Sequence, residues 1–251
     1  MVHIVGAGSG AIDLITVRGY NLLKEADIII YAGSLVNPEH LAIAKEGCEI
    51  YNSAKMTLEE VIDVMKKGED EGKMTVRLHT GDPSIYGAIR EQMDKLDELG
   101  ISYKVTPGVS SFCGAAAALK AEYTLPNVSQ SVIITRMAGR TPVPEKESIR
   151  SFAAHGATMA IFLSTGMLEK LSEELIAGGY DADTPAAIVY KATWPDEKVI
   201  KGTVSQLAKM AEENNITKTA LILVGGFLGD KYDRSLLYDP GFSHEFRKAE
   251  K

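Results

Sequence analysis

Cysteine is nearly missing from this chain: Cys48 and Cys113 are the only two among 251 residues. They lie far apart, without the spacing of a thiolate metal site or a disulfide framework. Free thiols in a reducing cytoplasm are expected, and no metal centre. Long apolar runs are missing as well. No stretch reaches the roughly 18 apolar residues that suggest a membrane-spanning helix. The first residues read as a strand without a basic leader, so no signal peptide is expected. The sequon-like "NVS" at Asn127 is therefore expected to carry nothing. Basic residues are in the minority, 27 against 34 acids, for a net charge of -7. That argues against a nucleic-acid partner, which usually demands a basic patch. It leaves room for a few arginines to hold a small anion locally.

What remains is the texture of a globular protein, 45% hydrophobic and 24% charged, with length for one large domain or two modest ones. Strand and helix patterns alternate. "HIVGA", "DIIIYA", "MTVRLHT" and "ISYKVTPG" read as strands. "TVRGYNLLKEA" reads as a helix capped by Thr16. "TLEEVIDVMKKGEDEG" is amphipathic, with Leu58, Val61, Ile62 and Met65 on one face. "SIYGAIREQMDKLDELG" and the alanine-rich "SSFCGAAAALKA" are further helices. From residue 122 to 130 the chain turns polar and aperiodic, and a domain boundary is placed there. Beyond it come strands "SVIITR", "TMAIFLS", "AAIVYKAT", "KVIKGT" and "ALILVGG". Helices "EKESIRSFAAHG", "MLEKLSEELIAGG" and "VSQLAKMAEENN" lie between some of them. "KATWPDEKVIKGT" reads as two strands joined at a Pro-Asp turn, hence antiparallel. The expected fold is α/β in two domains, 1–122 with a mostly parallel sheet and 123–251 with a mixed one.

The stretch "HIVGAGSGAIDLIT" places three glycines after a strand, and Gly6, Gly8 and Ala11 satisfy a dinucleotide-binding pattern. Two features oppose that reading. The helix should open within the glycines to aim its N-terminus at a pyrophosphate, but here it begins near Thr16. A ribose-binding acid should close the second strand, but Asp27 stands at its start. No Gly-Lys-Ser/Thr follows, so a P-loop is excluded. A tight turn needs one glycine. Close approach of a ligand, or of another chain segment, would explain the others.

A second loop, "VRLHTGDPSIYG", runs from a strand end through Gly-Asp-Pro into a helix that Asp82 and Pro83 are expected to start. A third, "TPGVSS", also leaves a strand end. Ligands of open parallel sheets bind beyond the carboxyl ends of the strands, so these loops could line one cleft. Together with "TRMAGRTPVPE", "IFLST", "VYKATWPDEK" and "LYDPGFSHEFRK", these segments resemble the tetrapyrrole methylase family across nearly the whole chain. The later segments resemble one subgroup, whose members methylate ring carbon 11 of a corrinoid precursor. The family's first loop usually reads Gly-x-Gly-Pro-Gly-Asp-Pro. Here Ser9, Ala11 and Ile12 stand in place of the Pro, Asp and Pro, and Gly33 stands where the subgroup often has an acid.

The resemblance implies methyl transfer from S-adenosyl-L-methionine to an anionic tetrapyrrole, by a cytoplasmic homodimer. It puts the first glycine loop in a tetrapyrrole trough and the donor in a cleft between the two domains. The implied donor contacts are Gly81, Asp82, Ile85, Ser110 and Ser111 in the first half, and Phe162, Leu163, Ala187 and Ala220 in the second. Arg77, Arg136, Arg140 and Lys191 are the implied partners of the substrate's carboxylates. If a proton must be moved, His79 and Asp82 are the candidates. The competing readings are a relative with another target carbon, an NAD-linked oxidoreductase, and a tetrapyrrole carrier without turnover.

Overall fold

Four consecutive β-branched or aromatic residues, "IIIY", form strand β2 (Ile28–Tyr31), and its first three residues are buried. A strand apolar on both faces belongs in the middle of a parallel sheet covered on both sides, and that is its place. In the computed structural model, which describes residues 1–33 and 35–249, β1 (Val2–Gly6), β2, β3 (Glu49–Asn52), β4 (Thr75–His79) and β5 (Tyr103–Thr106) form one sheet. Its order is β3-β2-β4-β1-β5, and every pairing is parallel. The period of two sends alternate residues to opposite faces. Val5, Ala7, Ile29, Val76 and Leu78 pack with Leu23 of helix α1 (Val17–Glu25) on one face. Val2, Ile28 and Ile30 pack on the other with Val61, Ile62 and Met65 of α2 (Leu58–Asp70) and Leu96 of α3 (Ile89–Glu98). Leu23, Met65 and Leu96 are fully buried, and each such side chain contributes about 1.5–3 kcal/mol.

The helix starts follow from short side chains. Thr16 accepts from the Gly19 N–H at 3.1 Å. Thr57 and Glu60 form a reciprocal capping box at the start of α2, a feature contributing about 1 kcal/mol. The strands β1 and β4 are neighbours whose connections leave for opposite faces, α1 to one and α3 to the other. The sheet's topological switch point therefore lies between them, where open α/β sheets bind ligands.

The second sheet is mixed. Strands β6 (Val132–Arg136), β7 (Thr158–Phe162), β8 (Pro185–Tyr190), β9 (Lys198–Thr203) and β10 (Ala220–Val224) take the order β6-β7-β10-β8-β9. The β6–β7 pair is parallel and the other pairs antiparallel. The expected antiparallel pair is β8–β9, running from Pro185↔Thr203 to Tyr190↔Lys198. Its core joins Met159, Ile161, Ile188 and Ile222 to Leu171 and Leu175 of α6 (Leu168–Gly178), Leu207 of α7 (Leu207–Glu213) and Ile149 of α5 (Ile149–Ala153).

By their contacts the residues form two units. One is Met1–Ala115 with Ala192–Asp196; the other is Ala116–Lys191 with Glu197–Lys251. The chain passes between them within α4 (Ser111–Leu119) and at both ends of the short β8–β9 connection. Among the described residues no helix is long and apolar enough to cross a membrane.

One expected helix start is wrong. The pattern "SIYGAIREQ" predicts a helix from Ser84, with Asp82 as its cap; α3 begins at Ile89, with Ala88 in the N-cap place. Tyr86 and Ala88 hold φ of 55° and 49°, left-handed values that cannot propagate a right-handed helix. The Asp82 carboxylate is turned to other partners. Strand β3 was missed because four residues at a sheet edge bury too little to leave a pattern.

Candidate active site

Beyond the carboxyl ends of β1, β4 and β5 the three glycine-bearing loops touch backbone to backbone. Ala7 N–H donates to the His79 carbonyl at 2.7 Å, and Gly81 N–H donates to the Gly8 carbonyl at 2.9 Å. A Cβ on Gly6 would lie 2.5 Å from the Gly81 carbonyl oxygen and 2.7 Å from Gly108 Cα. One on Gly108 would lie 2.2 Å from the same oxygen. No side chain fits at Gly6 or Gly108, so the two glycines let three strand ends converge.

The other glycines of the first loop also face protein. Gly8, at φ +84°, turns beneath the Leu14 carbonyl, and a Cβ on Gly10 would enter the Trp194 ring. Ser9 and Thr193 hydroxyls pair at 3.1 Å, and Ala11 N–H donates to the same Thr193 oxygen at 3.0 Å. Of the two explanations open at the sequence level, chain-on-chain packing accounts for these glycines. The Ser9 departure makes sense in the same terms, because its hydroxyl meets Thr193; Ala11 meets Thr193 through its backbone N–H, so that bond does not explain the residue there. The sequence carried "ATWPD" as a recognisable motif, but gave no sign that it belonged beside "GAGSGA".

Asp82 ties the second loop to the third. One carboxylate oxygen accepts from Gly108 N–H at 2.9 Å; the other accepts from Ser84 N–H at 2.9 Å and from the Ser84 hydroxyl. Burial raises its affinity for a proton, but the bonds from Ser84 and Gly108 outweigh it and hold the carboxyl below its usual range. Asp82 is thus an ionised group at neutral pH. Gly81 and Ser110 are buried beside it, and Ile85 and Ser111 half-buried. Ser110 opens α4, its carbonyl accepting from Cys113 N–H at 3.0 Å.

His79 and Arg77 lie on the same face of β4, both buried. The Arg77 guanidinium donates through Nε to Gln92 Oε1 at 3.0 Å and through Nη1 to the Ile30 carbonyl at 3.1 Å. Its partners are internal and neutral, and burial lowers its pKa to about 10. His79 Nε2 meets no hydrogen-bond partner among the described residues. Burial, and then the neighbouring Arg77 charge, push the imidazole down to about 3. His79 is a neutral side chain and a weak base at pH 7.

In the second unit, Arg136, Phe162, Leu163, Lys191 and Ala220 gather at one end of the sheet, as the pairs Arg136↔Phe162 and Ala220↔Tyr190 require. Leu163 is held at φ 52° and is 59% exposed, an uncommon combination for a large apolar residue. Behind it Ser164 donates to the Phe162 carbonyl at 2.7 Å and accepts from Met137 N–H at 2.9 Å, which fixes the turn. The Ala220 carbonyl accepts from Thr165 at 3.2 Å. Ala187 lies deeper, fully buried in mid-strand between Leu223 and Lys201. Arg136 folds onto its own loop, donating to the Met137, Thr141 and Pro142 carbonyls at 2.8–3.3 Å. Arg140 is exposed at the tip of that loop. Lys191 sits at φ 47° with its ammonium 5.3 Å from the centre of the Tyr190 ring.

Comparison with known proteins gives one consistent picture. Residues 1–208 match the family model of the Tetrapyrrole (Corrin/Porphyrin) Methylases. The cobalt-precorrin-4 C(11)-methyltransferase of Methanocaldococcus jannaschii is 57% identical over all of this chain and 97% of its own. A solved structure of a cobalt precorrin-4 methyltransferase of cobalamin biosynthesis superposes with a TM-score of 0.89 at 48% identity, covering 91% of this chain and 96% of that one. The Thermus thermophilus uroporphyrin-III C-methyltransferase, solved with S-adenosylhomocysteine, gives a TM-score of 0.74 at 25% identity, covering 90% and 92%.

Proposed function

From the premise that this chain belongs to the tetrapyrrole methylases, we propose that it transfers a methyl group from S-adenosylmethionine to carbon 11 of precorrin-4 in its cobalt form. The identity of 57% across the full chain to a protein named for that reaction supports the target carbon. The donor reading is carried by the family match over residues 1–208. A local observation counts against its competitor: a Cβ on each glycine of the first loop would meet protein atoms at Gly81, Gly108, Leu14 or Trp194, so close packing accounts for the motif that suggested a dinucleotide.

When bound, a sulfonium donor would supply an electrophilic methyl, the ring carbon giving the electron pair and the sulfur leaving with its own pair as a thioether. The chain's own work is alignment and exclusion of water. We assign Gly81, Asp82, Ile85, Ser110 and Ser111 to donor binding. The ionised Asp82 suits a cationic ligand, and it keeps the second and third loops in register. Phe162, Leu163, Ala187 and Ala220 are the second unit's proposed contributors. Arg140 and Lys191 supply cationic ends for substrate carboxylates, and Arg136 joins them by releasing its loop carbonyls. His79, neutral and buried, and Asp82, with both oxygens bonded, are assigned to shape the loop rather than to move a proton. A cytoplasmic homodimer is part of the same proposal, and sedimentation equilibrium checks the dimer.

The test is calorimetric titration with S-adenosylhomocysteine, with NAD as the control, followed by mass spectrometry of the tetrapyrrole product with and without cobalt. Binding of the thioether, with a new methyl at carbon 11, is the expected result. Binding of NAD alone would overturn the reading.

A further inference from the structure

The segment Gly81–Ala88 is held in a conformation that its residues do not favour. Gly81, Tyr86 and Ala88 have φ of 58°, 55° and 49°, and two of these are not glycine. Gly87 is pressed so closely on Pro83 that a Cβ would lie 2.1 Å from its carbonyl oxygen. Non-glycine residues stay in the left-handed region only where their surroundings over-determine them. Ala88 also occupies the N-cap place of α3 without a side chain that could cap, and it is exposed, so packing does not pin it.

One side chain reaches it. Gln92, buried on the first turn of α3, donates through Nε2 to the Ala88 carbonyl at 3.0 Å and accepts through Oε1 from Arg77 Nε at 3.0 Å. The amide's orientation is forced, because guanidinium only donates and a carbonyl only accepts. Arg77 is in turn anchored to β2 by the Ile30 carbonyl at 3.1 Å. A buried cation beside neutral partners is a costly choice for a scaffold. Here it polarises the amide whose other end fixes the loop.

We propose that Arg77 and Gln92 are positioning residues for the donor loop: the Arg77–Gln92–Ala88 relay holds Ala88 in its left-handed conformation at the end of the segment Gly81–Ala88 and so sets the place of Asp82 and Ile85. The inference rests on the donor assignment made above for those two residues. It gives Arg77 a role inside the unit, in place of contact with a substrate carboxylate.

The decisive variant is Gln92→Glu. Glutamate still accepts from Arg77, now as a charge-assisted pair, but has no N–H to give Ala88 and presents an oxygen to that carbonyl instead. The expected result is a melting temperature no lower than the wild type, an affinity for S-adenosylhomocysteine about tenfold weaker, and faster amide hydrogen exchange at Tyr86–Ala88. Adding Ala88→Gly, which takes the left-handed conformation freely, recovers most of the affinity. A merely structural role would move stability and affinity together, and glycine would not rescue it. Unchanged affinity and exchange in folded Gln92→Glu would overturn the proposal, as would a loss that Ala88→Gly does not recover. Should Gln92→Glu fail to fold, Gln92→Met removes the bond to Ala88 without adding charge, and the same rescue decides. If the wild type does not bind the thioether, the donor reading fails by itself; hydrogen exchange, which needs no ligand, still decides whether the relay holds the loop.

Discussion

Replacing Asp82 separates the shape of the loops from their charge. Its carboxylate accepts from two backbone N–H groups, those of Ser84 and Gly108, each at 2.9 Å, and from the Ser84 hydroxyl. A hydrogen bond to a charged group contributes about 1.5–3 kcal/mol when buried. Asp82 is only partly buried, so water replaces part of what is lost. Asp82→Ala is then expected to cost about 2 kcal/mol, close to a thirty-fold loss if it falls wholly on donor affinity. Asp82→Asn keeps the volume but turns an N–H toward either Gly108 or Ser84, setting donor against donor, and is expected to lose roughly as much. Calorimetry with S-adenosylhomocysteine, beside a urea melt of each variant, divides the cost between binding and stability. The Asp82 carboxyl is depressed in the folded protein, so its contribution is intact above the ordinary aspartate range near pH 4 and disappears as the pH falls through the folded value. Affinity within twofold of the wild type in Asp82→Ala, at unchanged stability, would refute the reasoning.

Gly108→Ala puts a methyl 2.2 Å from the Gly81 carbonyl, backbone that cannot yield, and should cost about 2–3 kcal/mol in chemical denaturation. Gly100→Ala, at φ +67° in open space, should cost only about 1 kcal/mol. His79, at about 3, should show no imidazole titration by NMR between pH 8 and 5. The unfolded chain takes that proton first, so its component of stability is intact above about 6.5 and declines as pH falls toward 3. In His79→Gln that component of the acid sensitivity should vanish. Thr193→Val removes the bonds to Ser9 and Ala11 and should shift the emission of Trp194, the only tryptophan, to the red. Thr193→Ser should restore it, and an unshifted valine variant would deny the contact a role in holding the indole.

Elements with a strong period were readable from the sequence. The α2 stripe, the Thr16 cap and the β8–β9 pair needed only local signals, and local signals survive in one dimension. The Gly-Asp-Pro loop did not read correctly, because part of its conformation is set by a residue distant in the chain. "SIYGAIREQ" has helical spacing, yet Tyr86 and Ala88 take left-handed φ values, and Asp82, expected to cap the helix, is bonded to Gly108, 26 residues on. The glycines show the same limit from another side. Their number signalled close approach, but what approaches Gly10 lies more than 180 residues away in the chain, at Trp194. Arg77 was expected to meet a substrate carboxylate because charge alone says nothing of burial; its partners are Gln92 and the Ile30 carbonyl. Gln92 carried no signal at all: a glutamine on a polar helix face is ordinary until its neighbours are known.

The first unit also sets an order in time. Its glycine loop is made by residue 11, yet Thr193, which bonds Ser9 and Ala11, belongs to a piece ending at Asp196. Ribosomes add roughly 5–20 residues per second. The roughly 80 residues between Ala115 and Asp196 therefore take about 4 to 16 seconds to follow. For that interval the nascent first unit lacks its last bonds, and the Ala11 N–H and Ser9 hydroxyl remain with water. A fragment ending at residue 115 would stay in that state for good.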